Sequence, residues 1–234
     1  MALTGTKTSS WLSTELSYAL LDMAKRFFTS DFHFGSQALM KIENWPFKSI
    51  EKHDAALIRS CKERAKADDI VYHLGDMAQF GYDSHYAIRT KGLDVKPYEL
   101  IKDIPATFIN IRGNHDLNNK VKSVCDSMHM FLSKRYPSVT LSHYPTYDRR
   151  CDASCMHAPI HLCGHVHGHF KHCLDLDHKI LNINMGCMIW NWHIVSDDEL
   201  IAYLNTLFKK SPSQLFRCKK NEHGKLEFFG DKDV

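Results

Sequence analysis

Apolar residues are distributed along the chain in short blocks, and most blocks stop abruptly at a polar cluster. Residues 26–30, 69–73, 107–111, 139–142, 160–163 and 180–184 are runs of four or five mainly apolar positions, the pattern of buried strands. A second pattern has three-and-four spacing. It predicts an amphipathic helix over 11–24 (Leu12, Leu16, Ala19, Leu20, Met23), one over 50–65 capped by Ser49 (Ile50, Leu57, Ile58, Cys61, Ala65), and one over 197–208 capped by Ser196 (Leu200, Ile201, Leu204, Phe208). Strands alternating with helices predict an α/β fold. In such folds sites collect at the carboxyl ends of strands, and five of the blocks end there in Asp, His or Asn.

Composition narrows the class. With 234 residues, 44% hydrophobic and 24% charged, the chain is long enough for one soluble domain with a sizeable core. No apolar run approaches the roughly 20 residues that cross a bilayer, and residues 11–23 lack the continuous apolar stretch of a signal peptide, so the chain reads as cytoplasmic. A net charge of +3 is too weak to argue for nucleic acid, and the basic residues Lys209, Lys210, Arg217, Lys219 and Lys220 read as a solvated face. The organisation expected is an N-terminal helical extension (1–26), a main domain (27–208) and a basic tail (209–234) packed on the same domain, with hairpin character around 221–224. Eight Cys and 16 His are the unusual numbers, seven of the histidines falling between His157 and His178.

Chemistry concentrates in the clusters that close the apolar blocks. Asp31 and His33, two apart, project to one side of an extended segment and form a chelating pair. Asp76 follows Gly75, where the missing side chain leaves the carboxylate open to two partners. In Gly113-Asn114-His115-Asp116, Asn offers a neutral oxygen ligand and the neighbouring His a proton donor. His143 stands alone after its block, and His165 and His167 repeat the two-apart chelating geometry between glycines. Cys151, Cys155, His157 and His161, at spacings of four, two and four, form a candidate separate zinc site that fits no standard ribbon spacing. Cys163, Cys173 and Cys187 read as buried reduced thiols, and His169 and His172 as solvated loop histidines.

The order Asp-x-His, Gly-Asp, Gly-Asn-His-Asp, isolated His, Gly-His-x-His resembles the calcineurin-like metallophosphoesterases. Val71-Tyr72-His73-Leu74-Gly75-Asp76, Leu181-Asn182-Ile183-Asn184-Met185-Gly186, Trp190-Asn191-Trp192 and Val195-Ser196 resemble a small bacterial and bacteriophage branch of that family, the likeness running from about Phe27 to Leu204. The resemblance implies a four-layer α/β/β/α sandwich of two mixed sheets with a dimetal site on one edge. It implies a first metal on Asp31, His33, Asp76 and His167, a second on Asp76, Asn114, His143 and His165, and His115 as the catalytic residue at the phosphate and leaving oxygen. The activity implied is hydrolysis of a phosphate ester by a hydroxide bridging two divalent ions. Oxygen and nitrogen ligands without thiolate suit Mn, Fe, Co, Ni or Zn, and Mn is favoured.

Two positions depart from the family pattern: Gln79 stands where an Asp often orients the catalytic His, leaving Asp116 as the expected orienting group, and Ser36 stands where the close branch has His. Tyr144, Arg149 and Arg150, with Asn114 and His115, are the expected substrate contacts. An aromatic and guanidinium rim favours a nucleotide phosphomonoester, as in a 5'-nucleotidase. The alternatives are a phosphodiesterase acting on cyclic nucleotides or nucleic acid ends, a protein phosphatase, and a non-catalytic metal-binding interaction module.

Overall fold

Six of the apolar blocks fold as strands. The computed structural model describes residues 24–79, 97–118 and 121–232; the helix expected over 11–24, but for its last residue, lies outside them. In chain order the elements are β1 (Arg26–Thr29), α1 (Gln37–Ile42), α2 (Ile50–Arg64), β2 (Ile70–His73), α3 (Pro97–Ile101), β3 (Thr107–Asn110), β4 (Ser127–Met130), β5 (Val139–Ser142) and β6 (Ile160–Cys163). They continue with β7 (His172–Asp175), β8 (Ile180–Asn184), β9 (Val195–Ser196), α4 (Asp197–Leu207), β10 (Arg217–Lys220) and β11 (Leu226–Phe229). The two long helices start where the sequence places their caps. Ser49 accepts from the Lys52 amide, and Ser196 forms a capping box with Glu199.

The strands form two mixed sheets, β3-β2-β1-β9 and β11-β10-β7-β8-β6-β5-β4. In the first, β1, β2 and β3 are parallel and β9 antiparallel; in the second, β5, β6 and β8 are parallel while β4 runs against β5 and β7 against β8. Successive side chains of β1 point to opposite faces. Phe27 packs in a core with Leu57 and Cys61 of α2, and Phe28 in a second core with Leu141, Leu162 and Ile183 of the second sheet and Leu200 and Leu204 of α4. A parallel bridge between Ser30 and Gly186, with the Cys187 amide donating to the Ser30 carbonyl at 3.0 Å, ties the end of β1 to the end of β8. The carboxyl ends of both parallel sets therefore meet at one edge.

One residue differs from the sequence expectation. His172, expected as a solvated loop residue, opens β7, is buried, and lies 3.0 Å from the Tyr203 hydroxyl through Nδ1. The basic segment after Ser211 forms the antiparallel pair β10–β11 around Asn221, whose Oδ1 accepts from the amides of His223 and Lys225, and β10 runs parallel to β7. No helix among the described residues is long and apolar enough to cross a membrane.

Candidate metal centre

The ligand-bearing loops are locked together before any side chain is considered. Beyond the end of β1, the amides of Asp31, His33 and Phe34 donate to the carbonyls of Gly75, Asp76 and Met77 at 2.9–3.0 Å, so the two loops run on as a ladder after the strands have ended. Asp31, His33, Asp76, His165 and His167 all adopt positive φ, between 43° and 70°, a conformation that L residues hold only when the surroundings impose it. Two glycines allow the loops to close: a Cβ on Gly113 would lie 2.2 Å from Asp76 Oδ1, and one on Gly164 would lie 1.9 Å from Ser30 Oγ and 2.6 Å from Asp31 Oδ2.

The result is two convergent sets of donors. Asp31, His33 and His167 form one, Asp76, His143 and His165 the other, and within each set the candidate ligand atoms lie within 4.8 Å of one another. His33 Nε2 is 3.1 Å from His167 Nε2, 3.7 Å from Asp31 Oδ1 and 3.8 Å from Asp76 Oδ2. His143 Nε2 is 3.3 Å from the same Asp76 Oδ2 and 3.0 Å from Asn114 Oδ1. Ligand atoms about 2.1 Å from a shared ion are about 3.0–3.5 Å apart, so these spacings suit a metal. One carboxylate oxygen of Asp76 faces both sets.

Outer partners aim the rings. His143 Nδ1 donates to the Leu74 carbonyl at 2.8 Å, which leaves Nε2 turned into the site. Glu43 does the same for His167, accepting from Nδ1 through Oε1 while Oε2 accepts from Trp45 Nε1 at 2.9 Å. Glu43 went unseen in the sequence: it closes α1, 124 residues from its partner, and no local motif marks it. Glu43→Gln is expected to lower metal affinity about 10- to 100-fold, the usual effect of losing such a partner; a metal titration of the variant with unchanged affinity contradicts the assignment.

Charge is divided between the two imidazoles beside Asp76. Burial lowers both, but Asp76 against His143 outweighs it and holds that ring up at about 9, whereas burial, with the charges of His143 and Arg150, pushes His165 down to about 4. Asp31 stays below the usual carboxylate range, because His33, His143 and His167 overcome a burial that alone would raise it. Arg150 Nη2 donates to His165 Nε2 at 2.7 Å and ties that ring to the loop between β5 and β6.

His115 sits at the mouth. Its amide donates to Asp76 Oδ1 at 2.8 Å and its ring is 34% exposed, with Nε2 3.9 Å from Asp76 Oδ2. Asp116, expected to orient it, is turned elsewhere: its carboxylate accepts from the amides of Asp76, Met77 and Gly113 at 2.8–3.1 Å and so braces the loops that carry the ligands. Gln79 and Ser36, the two departures from the family pattern, touch each other, Ser36 Oγ donating to Gln79 Oε1 at 3.2 Å. Of the expected substrate contacts, Tyr144 lies 5.0 Å and 4.9 Å from the His143 and His165 rings, and the Arg150 guanidinium 4.3 Å from the Tyr144 ring. Arg149 is exposed, and no hydrogen bond or ion pair among the described residues brings it to the cluster.

No family model matches the sequence. The chain is similar to an uncharacterized protein of Methanocaldococcus jannaschii, at 27% identity over 79% of this chain and 93% of that one, and to the Gene 66 protein of Mycobacterium phage L5, at 27% over 80% and 98%. Among solved structures, a protein of unknown function from Aquifex aeolicus shares the fold with a TM-score of 0.58 at 21% identity, covering 77% of this chain and 99% of its own. A conserved uncharacterized protein from Streptococcus pneumoniae, described as a predicted phosphoesterase, reaches a TM-score of only 0.29 at 17% identity, over 70% of this chain and 72% of that one.

Proposed function

We propose that the chain is a metallophosphoesterase of the calcineurin-like family, hydrolysing phosphate esters at a centre of two divalent transition-metal ions, with manganese favoured. The observation that carries the reading is the sharing of Asp76 Oδ2 between two sets of oxygen and nitrogen donors, with His115 exposed beside it. Asp31, His33, Asp76 and His167 would hold one ion, and Asp76, Asn114, His143 and His165 the other. Ions so placed supply positive charge to the phosphate oxygens and acidify water. The four-layer sandwich that the resemblance implies is part of the same reading.

The protein's own groups supply the rest. His115, anchored at its amide and open at its ring, donates a proton to the leaving oxygen. Tyr144 offers an aromatic ring at the rim, and Arg150, exposed and held over that ring by Asp148, offers a second hold on phosphate. A small nucleotide phosphomonoester fits that rim. The test is turnover of an aryl monoester, an aryl bis-ester and a panel of mononucleotides, each with manganese and with chelator. Metal-dependent release of phosphate from mononucleotides is expected; a bis-ester preference replaces the nucleotidase reading with a diesterase, and no metal-dependent turnover of any sinks the enzyme.

A further inference from the structure

Outside the centre, one more group of metal-ligating side chains comes together among the described residues. Cys151, Cys155 and His161 each present an atom within 4.8 Å of the other two. They come from two places: Cys151 and Cys155 from the loop between β5 and β6, where residues 153–157 make a short 3-10 turn, and His161 from β6 itself. His157, the fourth member expected from the spacing, is exposed and stands outside the group. An oxygen takes its place, since Ser142 Oγ lies 3.7 Å from Cys151 Sγ and 3.1 Å from His161 Nε2. A tetrahedral zinc ion holds its sulfur ligands about 3.8 Å apart, so the group needs little movement to close.

We propose that Cys151, Cys155 and His161 bind a zinc-class divalent ion, with Ser142 Oγ or a water as the fourth ligand, at a site separate from the centre on Asp76. The surroundings prepare the ring for it. Thr140 Oγ1 lies 2.8 Å from His161 Nδ1 and its own proton can go to the Cys155 carbonyl, 3.2 Å away, so Nδ1 can keep a proton and leave Nε2 for the metal. His161 and Cys155 are buried, while Cys151 is half-buried and gives the ion a way in. On binding, both thiol protons leave to solvent, and the proton on Nε2, now directed at the Tyr144 carbonyl at 3.0 Å, is replaced by one on Nδ1. The ion would fasten the far end of the loop that begins at His143 and carries Tyr144 and Arg150.

Cobalt separates this site from the other, because only thiolate ligands give a near-ultraviolet sulfur-to-cobalt band and the centre on Asp76 contains none. Wild-type protein titrated with cobalt is expected to show the band and to saturate it within three equivalents, with an intensity of one site per chain, His157→Ala to keep it, and Cys151→Ser, at the half-buried position, to lose it. Zinc is also expected to protect the half-buried Cys151 thiol of the native wild-type chain from alkylation, a measurement that needs no variant. Absence of the band in the wild type, its survival in Cys151→Ser, or a Cys151–Cys155 disulfide in freshly purified protein overturns the proposal.

Discussion

Replacing His115 with alanine is expected to lower kcat about 10²- to 10⁴-fold, the usual contribution of a positioned proton donor, while the bound metal stays at its wild-type content. The two effects separate because the residue does two things with different atoms. Its backbone amide holds Asp76 Oδ1 at 2.8 Å, a bond that alanine keeps, whereas only its ring reaches the mouth of the site. His33 and His143, by contrast, are fully buried and face the clusters. The deficit should grow with the basicity of the leaving oxygen, being smallest for a nitrophenyl ester and largest for a ribose phosphate, since a good leaving group needs no proton. Loss of metal in His115→Ala, or an equal deficit with every leaving group, would mean that the ring is a ligand or a scaffold.

The converse is expected of Asp76→Asn. The amide oxygen can still accept from the His115 amide, and Asn tolerates the positive φ of 58° at this position, so the fold is kept. What is lost is the charged Oδ2 that faces His33 at 3.8 Å and His143 at 3.3 Å. Both ions depend on that atom in the proposed centre, so metal content should fall at both sites and turnover should drop to background. A thermal melt gives the second readout. Wild-type protein with manganese at about 100 times its Kd should gain about 2.7 kcal/mol per occupied site, roughly 5–10 °C in Tm for a domain of this size, and the variant should gain almost nothing. In chelator the variant should melt below the wild type, because His143 and His33 hold the Asp76 carboxylate charged in the fold and Asn leaves His143 without its ion partner, so the readout is the rise each protein gains from manganese. A manganese-dependent rise in Asp76→Asn equal to that of the wild type would refute the bridging role.

What could be read in the sequence were features that are local along the chain. Asp31, His33, Asp76, Asn114, His143, His165 and His167 were visible because each follows an apolar block, and a strand end is a fixed place in a parallel sheet. Glu43 was invisible because its meaning arises only when α1 is brought against the loop after β6. Asp116 was misread for a related reason: adjacency to His115 says nothing about direction, and its carboxylate turns back to three amides of the Asp76 and Gly113 loops. Strand order was equally out of reach. β9 is two residues long and β7 is bounded by His172 and Asp175, so neither carries a pattern that stands out, and both are defined by partners distant in sequence.

The positive φ angles at Asp31, His33, Asp76, His165 and His167 carry a consequence for how such a chain can change. Each costs about 1–2 kcal/mol relative to an ordinary backbone conformation, a cost that glycine would escape and asparagine would soften. Five residues of the proposed centre thus sit where the backbone works against the side chain they carry. Under selection for expression or heat resistance alone, the centre would be the first part of the molecule to be edited out, and the fold would outlast its chemistry.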